Sequence, residues 1–467
     1  MDILFLSVST GGGHIKAADA LKEYVEKNYL GSRCQIVDTF KYISPFIDRF
    51  VVGGYLNIIN KIPLLYGSLY KLSEHNKNII DATYIISSLF SYKLIPLIQQ
   101  FKPSIIVCTH TLPLQMVSYL KQKKIISVPV TAIVTDYVNH PFWKLENVDA
   151  LIVPHDKIRF EMIQAGIPEN IIYPYGIPLS EKFLKSHSRE KVMTSLGLED
   201  KLTGLIMGGS LGIRSVYNSF EMLIQCKREM QIIVVTGKNT SLKKKMEKQL
   251  HFYSNTGTKI NTTANAAIDI GTDIDADTGI DADTGIDIDV DICASNTDTN
   301  TSTNTSINTR INASTTSYAG TYTNTSAYTS TCSNTSDCTN TYGSTCIYTI
   351  NNKNVKIFGY TNIIPELMDI SNFIITKPGG MTISEALVKE LPIFLTSPIP
   401  GQEERNCQFL VNIGAAVCIQ PENNLDHVLA NILDNASKIK NVKEIAKALA
   451  RPNSCRDTAM LLDKLQH

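Results

Sequence analysis

The chain opens on a short apolar run, Ile3–Val8, that ends in Ser-Thr-Gly-Gly-Gly. Behind it Ile15, Ala18, Leu21 and Val25 recur on one helical face, which predicts a helix over Ile15–Tyr29. Strand, glycine turn and helix in that order make the opening unit of a doubly wound α/β domain. Further apolar runs predict buried strands at Ile105–Thr109, Val130–Thr135 and Ala150–Val153, separated by helical stretches. Such alternation implies a parallel sheet that receives ligands at its C-terminal strand ends. The turn-rich Pro174–Pro178 reads as the passage into a second domain. There the pattern restarts with a strand at Gly204–Met207, a glycine turn (Gly208, Gly209, Gly212) and a helix near Ser215–Lys227. A strand at Ile232–Thr236 and a helix at Leu242–Leu250 follow, and then the periodicity stops.

From about Asn261 to Asn352 the chain is low in complexity, with a tandem DADTGI repeat over Asp275–Ile286 and then tracts of Thr, Asn and Ser. This composition offers too little apolar surface to offset the entropy of ordering, so a disordered insertion is expected. The Asp-Gly repeat lacks the Gly-Gly-x-Gly period of a calcium-binding array. Pattern resumes at Val355–Phe358 as though nothing had intervened, which puts the insertion in a helix-to-strand loop. At 467 residues, two α/β domains are the expected organisation. Their boundaries are read as 1–178, then 179–260 with 353–467.

The formal net charge of zero conceals a division. The insertion carries eleven Asp and one Arg, so the rest of the chain is left with a net charge of about +10. A basic body suits an anionic partner such as a phosphate-bearing donor or an anionic lipid surface, and charge alone does not separate these from nucleic acid. The ten cysteines form no CxxC pair and no metal-ligand spacing, which fits a reduced, cytosolic chain. The N-terminus goes straight into a strand pattern, so no signal peptide is expected. No apolar run is suited to spanning a bilayer; Pro103–Leu120, the longest candidate, contains Pro103, His110 and Pro113.

The strongest local signal is Phe373–Ala386, FIITKPGGMTISEA. A strand ends at Lys377, Pro378-Gly379-Gly380 turns the chain, and a helix begins near Thr382. Unpaired N–H groups at that helix start, beside glycines, suit a diphosphate, with Glu385 facing a ribose. The alternative is a capping box from Thr382 to Glu385 that closes the helix end with no ligand. A second glycine turn, Met207–Gly212, and Thr236-Gly237-Lys238-Asn239 at the next strand end converge on the same crevice. Gly11-Gly12-Gly13-His14 closes the first strand but is not a dinucleotide fingerprint. His14 at the helix start could take a proton from an acceptor hydroxyl near neutral pH, or could simply bond to nearby backbone. Asp136 closes another strand and either orients His14, acts as the base itself, or forms an Asx turn. Trp143, the one tryptophan, fits either a membrane interface or a core position. Gln402, Glu403 and Asn406 follow the strand Ile393–Thr396 and suit a hydroxyl-rich ligand. Between Phe40 and Gln100 many apolar side chains are interrupted by Lys41, Arg49, Lys61, Lys71 and Lys93, as in segments that lie in a bilayer interface and in ordinary packing helices alike.

Seven segments in order carry a resemblance: STGGGH (Ser9–His14), VTDY…HPFW (Val134–Trp143), MGGSLG (Met207–Gly212), VVTGKN (Val234–Asn239), FGY (Phe358–Tyr360), TKPGGMTISEA (Thr376–Ala386) and PIPGQEERN (Pro398–Asn406). Together they resemble the diacylglycerol glycosyltransferases of glycosyltransferase family 28, which include bacterial processive diacylglycerol β-glucosyltransferases and monogalactosyldiacylglycerol synthases. The resemblance covers the chain except the insertion, which the family lacks. It implies a GT-B fold, two Rossmann-like domains facing a cleft, with the donor held by the C-terminal domain and the acceptor by the N-terminal one. It further implies that Gly208, Gly209, Ser210, Gly237, Lys238, Asn239 and Lys377 line the donor site. Gly379, Gly380, Met381 and Thr382 should cradle the diphosphate, Glu385 the ribose, Tyr360 the uracil, and Gln402, Glu403 and Asn406 the hexose. Gly12, Gly13 and Trp143 fall on the acceptor side, and His14 is the favoured base, helped by Asp136. No metal and no cofactor are implied.

The function expected from this resemblance is inverting transfer of a hexose from a UDP-hexose, glucose favoured over galactose, to the 3-hydroxyl of diacylglycerol. The chain would act as a peripheral protein at the cytoplasmic face of the membrane, on an anionic lipid surface and with no nucleic acid partner. Three alternatives stay open at the level of sequence: N-acetylglucosaminyl transfer to a polyprenyl-linked peptidoglycan intermediate, a UDP-sugar epimerase, and a non-catalytic UDP-sugar sensor.

Overall fold

The computed structural model describes residues 1–9, 12–44, 72, 77–209, 213–256, 354–396, 398–420 and 423–467. The expected insertion over 261–352, together with Gly11, Ser210 and most of the aromatic stretch at 45–76, lies outside the described residues. Those described belong to one compact unit built from Met1–Ala266 and Cys346–His467.

Two six-stranded sheets make the framework, and every strand pairing in both is parallel. The first has the order β2-β1-β3-β4-β5-β6, from β1 (Asp2–Ser7), β2 (Arg33–Asp38), β3 (Ile105–Cys108), β4 (Val130–Ile133), β5 (Ala150–Ile152) and β6 (Ile172–Tyr173). The second has the order β12-β11-β10-β7-β8-β9, from β7 (Thr203–Met207), β8 (Gln231–Val235), β9 (Val355–Phe358), β10 (Phe373–Thr376), β11 (Ile393–Leu395) and β12 (Ala416–Cys418). The α/β class with two Rossmann-like sheets is therefore as expected. In the first sheet the chain reverses its direction of travel between β1 and β3; in the second it does so between β7 and β10. Strand reversal opens a crevice at the C-terminal strand ends, because the helices that follow leave toward opposite faces.

Strand alternation sorts the core. In β1, Leu4 and Leu6 join a cluster that runs through both domains, whereas Ile3 and Phe5 face the other way, among Ile105, Val107, Ile133 and Ile152. That second cluster is closed by Cys455, Ala459, Leu461 and Leu462, from the helix Ser454–Leu465. This last helix packs on the helix Gly13–Asn28. Apolar surface on the first sheet draws it there, and Ser104 Oγ donates to Gln466 at 2.9 Å beyond it. The outgoing and returning crossings touch at Gly176, whose φ is +90° and where a Cβ would lie 2.3 Å from Arg451 Cβ.

Candidate active site

The two switch points supply the site from opposite sides. At the first, Gly12 has a φ of 70° and the helix starts at Gly13 with no side chain capping its N–H groups. His14, its second residue, has Nδ1 2.8 Å from the Thr109 carbonyl oxygen and 2.8 Å from Thr135 Oγ1. A carbonyl oxygen only accepts, so Nδ1 carries the proton and Nε2 is the basic nitrogen of the neutral ring. Burial pushes His14 below its ordinary pKa, and the Asp136 carboxylate pulls it partly back.

At the second switch point β10 gives way to Lys377-Pro378-Gly379, and the helix Gly380–Val388 starts two residues earlier than Thr382. Glu385 consequently sits in the second turn and takes no part in capping; no side chain caps this helix either. The Glu385 side chain is 3% exposed, and its Oε2 has no hydrogen-bond partner among the described residues. Burial raises its pKa to about 7, against the pull of Lys16.

The two uncapped helix starts abut. A Cβ on Gly13 would lie 3.6 Å from Met381 Cβ, and one on Gly380 would lie 2.0 Å from the Thr135 carbonyl oxygen. Glycine at 380 is what lets these backbones meet. Gly379, by contrast, has open space where a Cβ would go.

A third component comes from the helix Gln402–Asn412. Asn406 is fully buried, and its Nδ2 donates to Asp136 Oδ1 at 3.2 Å and to the Pro378 carbonyl at 2.9 Å. Its Oδ1 accepts from the Tyr137 N–H at 2.9 Å. Both amide hydrogens are thus committed to fastening Asp136 to the glycine turn. Asp136 is raised by burial and by Glu403, and lowered by His14 and by hydrogen bonds from Asn406 and Gln402. The expected base pair and the expected hexose readers therefore share one locus.

Lys377 Nζ lies 2.7 Å from Glu403 Oε1, while Glu403 Oε2 accepts from the Ile399 N–H at 3.1 Å. The lysine stem passes Gly209, where a Cβ would lie 3.1 Å from Lys377 Cε. Behind it, Cβ atoms on Gly237 and Gly359 would each face the preceding glycine's carbonyl oxygen at 3.7 Å, so the ends of β7, β8 and β9 form a glycine floor. Gly208, Met381 and Thr382 are buried, Lys238 is exposed, and Tyr360 past β9 is 67% exposed. Asn239 Oδ1 accepts from the Leu242 N–H at 2.7 Å, capping the next helix.

Sequence reasoning passed over His110. It follows β3 as Asp136 follows β4, and that position just past a buried strand is the signal that could have found it. Its Nδ1 accepts from the Leu112 N–H at 3.2 Å, so a neutral His110 carries its proton on Nε2. Of the two places left open for Trp143, the structure gives the core: the indole is 6% exposed among Val134, Val148 and other apolar side chains. Away from the cleft, Ile85, Ile86 and Leu89 on the helix Lys77–Ser91 are 58%, 56% and 70% exposed. Tyr92 follows them, edge-on to Tyr119, whose ring also carries Lys123 Nζ 5.5 Å from its centroid. No helix among the described residues is long and apolar enough to cross a membrane.

Paired parallel sheets whose switch points face each other, with uncapped helix starts between them, define the GT-B fold. Residues 14–179 match the family model of monogalactosyldiacylglycerol (MGDG) synthase, and residues 334–458 match the glycosyltransferase family 28 C-terminal domain. The chain belongs to glycosyltransferase family 28. It is 24% identical over 457 residues to a processive diacylglycerol beta-glucosyltransferase of Bacillus cereus (strain B4264), covering 96% of this chain and 90% of that one. It is likewise 24% identical over 455 residues to the same-named protein of Bacillus thuringiensis (strain Al Hakam), with the same coverage. Among solved structures, Acinetobacter baumannii MurG matches with a TM-score of 0.51 at 12% identity, over 99% of both chains. The UDP-GlcNAc 2-epimerase of Neisseria meningitidis, bound to UDP-GlcNAc, matches with a TM-score of 0.51 at 12% identity, over 99% of this chain and 100% of that one. At that identity these two likenesses concern the fold alone.

Proposed function

We propose that this glycosyltransferase moves a hexose from a UDP-hexose to the 3-hydroxyl of 1,2-diacylglycerol, with inversion, at an anionic membrane surface. The observation that carries the donor half is Glu385: a nearly fully buried carboxylate with an orphan oxygen, one and a half turns into an uncapped helix. Ribose hydroxyls would supply the missing donors, while the free N–H groups at Gly380 and Gly13 would meet the diphosphate without a metal. The names of the curated relatives support diacylglycerol as acceptor and glucose as the sugar.

In the proposed mechanism His14 Nε2 takes the proton of the diacylglycerol hydroxyl as that oxygen attacks the anomeric carbon, and UDP departs from the opposite face. The Thr109 carbonyl holds the tautomer, and Asp136 stabilises the imidazolium that forms. The apolar face of Ile85, Ile86 and Leu89, with exposed Lys123 and Lys124 nearby, supports attachment to an anionic bilayer.

Incubation with dioleoylglycerol and each UDP-hexose in turn, followed by identification of the lipid products, tests the reading. A β-glucosyl diacylglycerol is the expected product. Release of the free sugar, a change of sugar configuration without lipid product, or transfer only to a polyprenyl carrier would reject it. His14→Ala should remove at least about 10²-fold of the transfer rate with UDP affinity within a few-fold.

A further inference from the structure

Lys377 and Glu403 are 26 residues apart in sequence, yet they form an ion pair at 2.7 Å with side chains only 11% and 14% exposed. Both belong to the crevice already described. Lys377 directly follows β10, on the way to the helix start at Gly380, and its stem lies against the glycine floor at Gly209. Glu403 is the second residue of the Gln402–Asn412 helix and stands close enough to Asp136 to act on its charge. The lysine ammonium at this crevice is taken up by a carboxylate of the protein itself.

We infer that the Lys377–Glu403 pair is an exchange latch, broken by a donor that carries both a diphosphate and a hexose and re-formed against UDP alone. The inference rests on the UDP-hexose reading above. When a diphosphate enters, Lys377 exchanges one anion for another, and Glu403 is left as a poorly hydrated carboxylate. Ile399 N–H satisfies one of its oxygens, and the other needs a new donor. The transferable hexose has hydroxyls to offer there, whereas the ribose hydroxyls of UDP are taken up at Glu385 in the reading above. The intact donor therefore satisfies both halves of the broken pair, and the spent nucleotide satisfies only the lysine. After transfer Glu403 competes with UDP for Lys377, which favours departure of the product.

Titration calorimetry on the full chain with UDP and with UDP-glucose tests this. The unaltered protein should bind UDP-glucose at least about tenfold more tightly than UDP, a charge-assisted hydrogen bond being enough for that difference. Glu403→Gln keeps an oxygen for the Ile399 N–H but loses the charge. It should bind UDP about tenfold more tightly while UDP-glucose affinity stays level or falls. Glu403→Asp, too short to hold Lys377, should move UDP in the same direction. Lys377→Met should weaken both ligands. Equal affinities for the two ligands in the unaltered protein, or equal changes for both in Glu403→Gln, would overturn the latch. If the unaltered protein binds neither ligand, it is the UDP-hexose reading that falls.

Discussion

The ring of His110 meets the ring of His14 edge-on, with centroids 4.9 Å apart and planes at 87°. Both imidazoles are half-buried and both have lowered pKa values; for His110 the cause is burial and then the charge His14 would carry. A lowered pKa means that the proposed base is lost only when pH falls through a value below the ordinary 6.5. His110→Ala would let water reach His14 and move the acid limb of the kcat/KM profile upward toward 6.5. His110→Phe, which keeps an apolar ring there, should leave that limb close to its original place. Rate profiles from pH 5 to 8 decide it, and an acid limb identical in all three proteins would refute the coupling.

Glu385 predicts an opposing pH effect on stability. Its native pKa is raised from 4.5 to about 7, so its favourable contribution is full below about 4.5 and is lost as pH rises through 7. Glu385→Gln should therefore stabilise the unliganded protein by up to about 3 kcal/mol above pH 7 and by little at pH 4.5. The same variant should bind UDP less tightly. Urea unfolding at the two pH values, with UDP titration alongside, measures both.

The neighbouring glycines predict opposite outcomes. Gly380→Ala puts a methyl group 2.0 Å from the Thr135 carbonyl oxygen, so the two domains must separate locally. Loss of at least about tenfold in kcat/KM, with a lower Tm, is expected. Gly379→Ala meets nothing within 4 Å and should keep its Tm. If the diphosphate approaches that backbone as proposed, it will still bind UDP less tightly.

Replacing Ile85 and Leu89 with Ser should lower partition onto anionic vesicles by about 10²-fold, given the cost of withdrawing two such side chains from an apolar phase. UDP affinity should not change, because neither residue borders the cleft. Vesicle co-sedimentation and calorimetry on the same preparation separate the two effects.

What the sequence made legible is what local pattern can carry. β1, β7 and β10 are runs buried on both faces, each followed by glycines, and their ends stand within a residue or two of the expected ones. β2 escaped notice because Arg33–Asp38 is a half-exposed edge strand rich in polar residues, and β12 is only three residues long. The pairing of Lys377 with Glu403 and the commitment of Asn406 to Asp136 join segments that touch only after both sheets have formed. His110 gave no site signal because its helix-capping bond is local, while its contact with His14 spans two strands.

The helix Ser454–Leu465 also sets an order of events in synthesis. Ile3, Phe5, Ile105 and Val107 are made well before Cys455, Ala459 and Leu462, which form part of their outer cover. A nascent chain must therefore leave part of that face of the first sheet uncovered until the helix Ser454–Leu465 has cleared the ribosome. Chains truncated before Ser454 should present it to chaperones and proteases, whatever the state of their second sheet.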